Sequence, residues 1–386
     1  MIAFSAHLRS RLDAIRDAGL LRAPVTSTSA PGPYIQIEGR KVLCLCSNNY
    51  LGLANDPGLR TALAEGAAQF GAGSGASRLI SGTNLIHRAA EAVLAEWVGM
   101  ESSLSFSTGY AANVGAVQAL VGKGDLIVSD ALNHASLIDG CRLSGATVLV
   151  VPHTDVDALR RCLQDQRSRF RAALVITESV FSMDGDCADL RALRTICDEF
   201  GAGLYVDDAH AIGVMGPAGA GACAAFHVKP DVLVGTLGKA LGLSGAFVAG
   251  SKEVRALLEN QARSYVFSTA PPAMLSHAAI RAVALAKEAD LQRATLKRHS
   301  LRLRAALRAQ GFAIPSGETS IIPLVLGTPE RALVASAALL EAGVFVQAIR
   351  PPTVPEGTSR LRIVPIATHS VADMDLAVES FRTLRA

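Results

Sequence analysis

Short apolar runs recur along this chain at intervals that fit one strand and one helix each, and that alternation constrains the fold more than any other feature. The runs Leu126–Ser129, Thr147–Val151, Ala173–Thr177, Leu204–Val206, Val232–Gly235 and Ala246–Ala249 are rich in Val, Leu, Ile and Ala, without the polar alternation of a half-exposed strand. Strands that are apolar throughout belong in a sheet covered on both faces. Amphipathic stretches such as Asp155–Gln166 and Leu190–Phe200 lie between them and supply the cover. The reading is therefore an α/β fold built on a mostly parallel sheet.

Three segments are expected along the chain: an N-terminal arm over residues 1–45, a large domain over 46–285 and a small C-terminal domain over 286–386. The arm holds a short amphipathic helix and a Pro/Gly/Ser-rich link at Ala23–Pro33. From about Pro271 to Gln310 the chain reads as long amphipathic helices with basic outer faces, and the rest as a strand–helix–strand α+β unit. Half of the residues are hydrophobic and 18% are charged, which excludes disorder as the main state. Lys and Arg exceed Asp and Glu by only 37 to 34, and aromatics are 5%, so no nucleic-acid partner is expected. The longest uncharged stretches, Ser102–Gly122 and Ala209–Val228, are broken by Ser, Gly and Pro, which disfavours a membrane span. The N-terminus has charges throughout and no apolar signal-type core, so the cytoplasm is the expected location. Seven cysteines without a CxxC pair read as reduced thiols, with no metal site.

Four segments carry chemistry. In Gly203-Leu-Tyr-Val-Asp-Asp-Ala-His210 an apolar strand ends in two carboxylates and a histidine, where open α/β sheets bind ligands; a helix cap would use the same residues. In Asp231-Val-Leu-Val-Gly-Thr-Leu-Gly-Lys239 a strand ends in Thr236 and a lysine, and a desolvated lysine there can act as nucleophile or base. Ser105-Phe-Ser-Thr-Gly-Tyr-Ala-Ala-Asn113 turns from strand into helix, and the first N–H groups of such a helix can hold a phosphate. Asn133-His-Ala-Ser136 places an imidazole after another strand. Each alone is ordinary. Together they supply a phosphate cradle, a carboxylate, an imidazole and a lysine at strand ends, the set that pyridoxal 5′-phosphate (PLP) needs.

These segments, with Ser47-Asn-Asn-Tyr-Leu-Gly-Leu53, Gly71-Ala-Gly-Ser-Gly-Ala-Ser-Arg78 and Thr177-Glu-Ser-Val-Phe-Ser-Met-Asp-Gly-Asp186, occur in the order found in the α-oxoamine synthase family of fold-type I PLP enzymes, which the chain resembles from about Leu12 to its end. The resemblance implies a large, mostly parallel seven-stranded sheet domain and a smaller C-terminal α+β domain. It implies that Lys239 is the Schiff-base lysine, Asp207 the partner of the pyridine nitrogen, His210 a hydrogen-bond partner of the phenolic oxygen, and His134 the stacking residue. Gly109, Tyr110 and Thr236 would hold the cofactor, with Ser182 beside the ring. Ser268 and Thr269 would reach the phosphate of a neighbouring subunit, so a homodimer with shared active sites is expected.

For substrate, the resemblance points to Arg22, Asn48, His134, Arg350, Thr353 and Arg362. Arg362 would grip the amino-acid carboxylate, for which a planar guanidinium suits. The segment Ala348-Ile-Arg-Pro-Pro-Thr-Val-Pro-Glu-Gly-Thr-Ser-Arg-Leu-Arg362 is most similar to the branch that condenses L-alanine with a pimeloyl thioester, carried on CoA or an acyl-carrier protein. A second cation at Arg350 would suit the far carboxylate of that acyl chain, and a surface role is its alternative. The basic stretch from Lys287 to Arg308 could dock an acidic carrier, or be a solvated face. Sister reactions that join glycine or serine to another acyl-CoA stay open. Two positions depart from the family pattern, Ala211 and Leu243, and the second bears on substrate preference.

Overall fold

The computed structural model describes residues 3–384. From its start, the helix Phe4–Asp17 leads through an irregular link to an antiparallel hairpin of β1 (Tyr34–Ile37) and β2 (Arg40–Cys44). That helix buries no residue, and Phe4, Leu8, Leu12 and Ile15 on it are exposed. Glu38 and Gly39 have φ of 49° and 77°, the left-handed pair whose twist suits a two-residue hairpin turn.

The six apolar runs and one serine-rich strand then form a seven-stranded sheet of β3 (Ser102–Phe106), β4 (Leu126–Asp130), β5 (Thr147–Val151), β6 (Ala173–Glu178), β7 (Gly203–Asp207), β8 (Val232–Thr236) and β9 (Ala246–Gly250). Their order is β3-β9-β8-β7-β6-β4-β5. The strands from β5 to β8 are parallel, and β9 is antiparallel to both β8 and β3. β6, β8 and β9 are buried at every position, as continuous apolar strands should be. β3 is buried throughout as well although three of its five residues are serines, and Ser103 Oγ and Ser105 Oγ donate to Glu91 O (2.7 Å) and Glu91 Oε1 (2.9 Å). β5 differs from the buried strand its sequence suggests. It is the sheet edge, and Val150 is 64% exposed there. Gly235 in β8 admits no side chain, because a Cβ would lie 2.4 Å from the ring of Phe247 on β9.

The connections explain where the site forms. The chain leaves β4 for the edge at β5 and returns on the other side of β4 to make β6. Ligands gather at such a reversal, beyond the carboxyl ends of the strands. Asp130, Glu178, Asp207 and Thr236 end β4, β6, β7 and β8 there. The covering helices start where the sequence provides a cap: Asp155 accepts from Ala158 N (2.8 Å) and Asp189 from Ala192 N (3.0 Å).

The chain packs as two units, one of Asn49–Ser182 and Asp186–Ala294 around this sheet, the other of residues up to Asn48, Met183–Gly185 and those from Thr295 on. The smaller unit contains β1, β2, β10 (Ile322–Gly327), β11 (Val344–Phe345), β12 (Ala348–Ile349) and β13 (Ser359–Ile363). β10, β13 and β12 form one antiparallel sheet, and β11 lies parallel to β2. The residues read as an arm therefore do not stand apart from the C-terminal part. Leu43 and Leu45 join Leu303, Leu307, Leu361 and Phe381 in one core.

The helix Asp290–Ala309 is less basic outside than its sequence suggests. Arg304 is 2% exposed, and its guanidinium donates to the carbonyls of Pro315 (3.0 Å) and Ile321 (2.6 Å). Lys297 pairs with Glu318, and Arg302 with Asp375. Among the described residues all seven cysteines are free thiols, and no helix is long and apolar enough to cross a membrane.

The same unit carries a pH dependence. His369 is 4% exposed, and its Nδ1 accepts from Ile366 N at 3.0 Å. Burial holds its imidazole down at about 4, against a smaller opposing pull from Asp373. The unfolded chain takes up this proton first as pH falls, so stability present above about 6.5 is lost between there and pH 4, by about 3 kcal/mol. His369→Asn keeps an acceptor for Ile366 N and should flatten that part of the urea-midpoint profile between pH 4 and 7. An unchanged acid slope would contradict this account.

Candidate active site

A cavity of about 210 Å³ opens at the carboxyl ends of β6, β7 and β8 in the larger unit. Its wall contains Lys239, Asp207, His210, His134, Thr236, Gly109 and Tyr110, seven of the residues predicted from the sequence. Lys239 follows β8 on a turn fixed by Thr236, whose hydroxyl donates to Gly245 O (3.1 Å) and accepts from Gly238 N (3.1 Å). Gly242 in that turn has φ of +69°, and a Cβ there would lie 2.4 Å from Ala54 N, so glycine is required. Lys239 Nζ is 2.9 Å from His210 Nε2, and His210 Nδ1 is 2.6 Å from the hydroxyl of buried Tyr50.

Asp207 is buried and held from two sides. Asn113 Nδ2 donates to Oδ2 at 2.7 Å, and Ala209 N donates to Oδ1 at 3.0 Å. The Asn113 amide is fully engaged, since it also donates to Ser136 Oγ (2.9 Å) and accepts from Tyr205 Oη (2.8 Å). His134 caps the helix Ala135–Ser144. Its Nδ1 accepts from Ser136 N (3.2 Å) and lies 2.8 Å from Ser136 Oγ, which places the ring's own proton on Nε2. Burial lowers the His134 pKa against the opposing pull of Asp207, and Lys239 adds to the lowering, so the imidazole is neutral near pH 7.

Glu178, Asn113 and Tyr50 are functional-site residues that sequence reasoning left unassigned. Glu178 closes an apolar run, and Asn113 is a polar residue inside an Ala/Val/Gly helix; both were visible signals. Tyr50 lies within a motif noted for other reasons. Asp208, singled out with Asp207, points elsewhere: it is fully buried, accepts from Ser179 Oγ and from Ala222 N (3.3 Å), and burial pushes its carboxyl up to about 7. It ties the glycine-rich loop after β7 to the end of β6.

The other predicted residues lie outside this wall. Ser182 is buried, with its N–H 3.3 Å from Glu178 Oε2. Ser268 and Thr269 lie beside Arg78 and Tyr265, and Thr269 bridges to Ser77. Arg22, Asn48, Arg350, Thr353 and Arg362 belong to the smaller unit. There Arg362 donates to Asn48 Oδ1 at 2.9 Å. Arg350 is buried, and its guanidinium lies on the carbonyls of Gly19 and Leu21. Arg22 in turn donates to Pro351 O at 2.7 Å, and Thr353 is exposed. Arg350 therefore anchors the segment that bears Arg22.

Residues 40–381 match the family model for aminotransferase class I and II. The chain is 49% identical to 8-amino-7-oxononanoate synthase of Anaeromyxobacter dehalogenans, over 95% of this chain and 92% of the relative. It is 48% identical to the synthase of the same name from Geobacter sulfurreducens, over 96% of each. Among solved structures, the serine palmitoyltransferase of Sphingomonas wittichii superposes with a TM-score of 0.92 at 32% identity, covering 99% of this chain and 96% of that one. The 8-amino-7-oxononanoate synthase of Francisella tularensis gives 0.77 at 26%, covering 89% and 97%. The chain belongs to the aminotransferase class I and II family, with the fold-type I architecture of its PLP-dependent members. Within that family it is a PLP-dependent acyltransferase of the 8-amino-7-oxononanoate synthase group, an α-oxoamine synthase.

The cavity's donor set fits PLP. The helix Gly109–Leu120 points its first turn at the cavity, where N–H groups have no partner within the helix, and a Cβ at Gly109 would meet nothing within 4 Å. A lysine amine, a doubly hydrogen-bonded carboxylate and a neutral imidazole complete the wall.

Proposed function

We propose that the chain condenses L-alanine with a pimeloyl thioester, releasing CO2 and the thiol and giving 8-amino-7-oxononanoate for biotin biosynthesis. The observation that carries this is the meeting of Lys239, Asp207, His134 and His210 in one cavity, in a chain whose relatives bear that enzyme's name. PLP, when bound, supplies an electron sink for the carbanion next to the amino group. Lys239 would anchor the cofactor covalently and, as a free amine, would be the base that takes the α-proton. Its contact with His210 and Tyr50 gives the amine a relay for that proton. Asp207 offers a fixed carboxylate to a ring N–H, oriented by Asn113 and Ala209. His134 presents a flat neutral ring and a donor at Nε2. The α-carbon bonds to the acyl carbonyl carbon as the C–S bond breaks and the thiol leaves; once CO2 has then left the α-carbon, Lys239 or His134 would return a proton to it.

Gly109 and Tyr110 would hold the phosphate through backbone N–H groups, with Thr236 near it and Ser182 beside the ring. Arg362, set by Asn48, would receive the amino-acid carboxylate. Arg22 and Thr353 would meet the acyl chain, with Arg350 behind Arg22. Ser268 and Thr269 would serve the neighbouring subunit's phosphate in a homodimer.

The test crosses L-alanine, glycine and L-serine with pimeloyl-, acetyl-, succinyl- and palmitoyl-CoA, reading thiol and CO2 release. L-Alanine with pimeloyl-CoA should exceed every other pair in kcat/KM by about tenfold or more. Best turnover with glycine or serine would move the chain to a sister reaction of the same family.

A further inference from the structure

Two carboxyl groups share the floor of the cavity. Glu178 ends β6 directly beside Asp207 on β7, its register partner. Both are buried, at 3% and 7% exposure, and both line the cavity. Their surroundings differ. Asp207 accepts two hydrogen bonds, at 2.7 and 3.0 Å. Glu178 accepts one long bond, from Ser182 N to Oε2 at 3.3 Å, while its Oε1 is buried with no hydrogen-bond partner among the described residues. The charged and titratable groups that share the cavity with it are Asp207, Lys239, His134, His210 and Tyr110. Neighbouring buried carboxyls do not both ionise readily, and the better hydrogen-bonded one keeps the charge. Asp207 is the better hydrogen-bonded of the two.

We propose that Glu178 is a positioning acid, protonated while PLP is bound, which donates a hydrogen bond into the cavity and leaves Asp207 as the one negative side chain on its floor. Burial first, and then Asp207, raise the Glu178 carboxyl to about 8, against the pull of Lys239 and of the backbone N–H groups of His134 and Ser182. An acid in this state faces an acceptor oxygen of its ligand. A second carboxylate would instead repel an anionic cofactor and compete with Asp207 for the ring N–H.

The inference rests on PLP as the ligand, and the experiment separates the two. Apoprotein of wild type, E178Q and E178M is titrated with PLP between pH 6.5 and 9.5, reading the dissociation constant from cofactor absorbance. Far-UV circular dichroism and the urea midpoint report folding. E178Q keeps a neutral donor and should bind within about threefold of wild type at pH 7, while E178M, of similar size without a donor, should bind about tenfold more weakly. From pH 7 to 9 wild type should lose about tenfold more affinity than E178Q, because only wild type must keep its acid protonated. Weakening of E178Q by tenfold or more at pH 7 in a folded protein would overturn the proposal, as would superimposable pH profiles. Wild type that binds no PLP would instead overturn the cofactor assignment.

Discussion

Lys239→Ala is expected to lower turnover by at least about 10³-fold while leaving the fold intact. Among the described residues Lys239 is the only lysine on the cavity wall, and no second amine lies there to replace it. The substitution removes the covalent anchor and the proton carrier together. It also strands the His210–Tyr50 pair, whose imidazole lies 2.9 Å from the lost amine. Only a half-buried side chain is shortened, so the unfolding midpoint should move little. Two readouts check this: CO2 release from L-alanine and pimeloyl-CoA, and borohydride trapping of PLP on the protein. Wild type should trap the cofactor covalently and the variant should not. Residual turnover within tenfold of wild type would remove Lys239 from the chemistry.

Asp207→Asn should lower kcat by about 10²- to 10³-fold, the usual cost of losing a fixed charge aimed at a reacting group. Shape is nearly conserved, so the effect isolates the charge. The new amide must also meet the Asn113 amide, whose Nδ2 now donates to the lost carboxylate oxygen. PLP affinity should therefore fall as well, and binding measured apart from turnover separates the two effects. Retention of kcat within threefold would mean that the cavity keeps the ring nitrogen protonated by another group.

The sheet was legible because its inner strands are apolar on both faces, and only burial on both sides permits that. The edge was not: β5 has the same composition as its neighbours, and Val150 differs only in what fails to cover it. Site residues at strand ends could be read for a related reason, since a polar residue closing an apolar run has to emerge where ligands bind. Partnerships could not be read. Asn113 meets Asp207 and Tyr50 meets His210 across long stretches of chain, and nothing local in the sequence announces either pair. Arg350 shows the converse limit. Its place in a substrate-like motif suggested a ligand for the acyl carboxylate, and the sequence did not announce that two of its guanidinium nitrogens donate to the carbonyls of Gly19 and Leu21. Arg304 is similar: helical spacing suggested an outward cation, and the carbonyls after the helix draw it inward.

The register of β6 and β7 has a consequence for how the protein ages. Glu178 and Asp207 are neighbours because Ala173–Glu178 and Gly203–Asp207 are laddered in parallel, and no local loop motion can separate them. Strands this deeply buried exchange their amide hydrogens chiefly through large-scale opening. The carboxyl pair is thus as durable as the sheet itself, so a molecule that loses its cofactor keeps the floor of its site and can be reloaded without refolding.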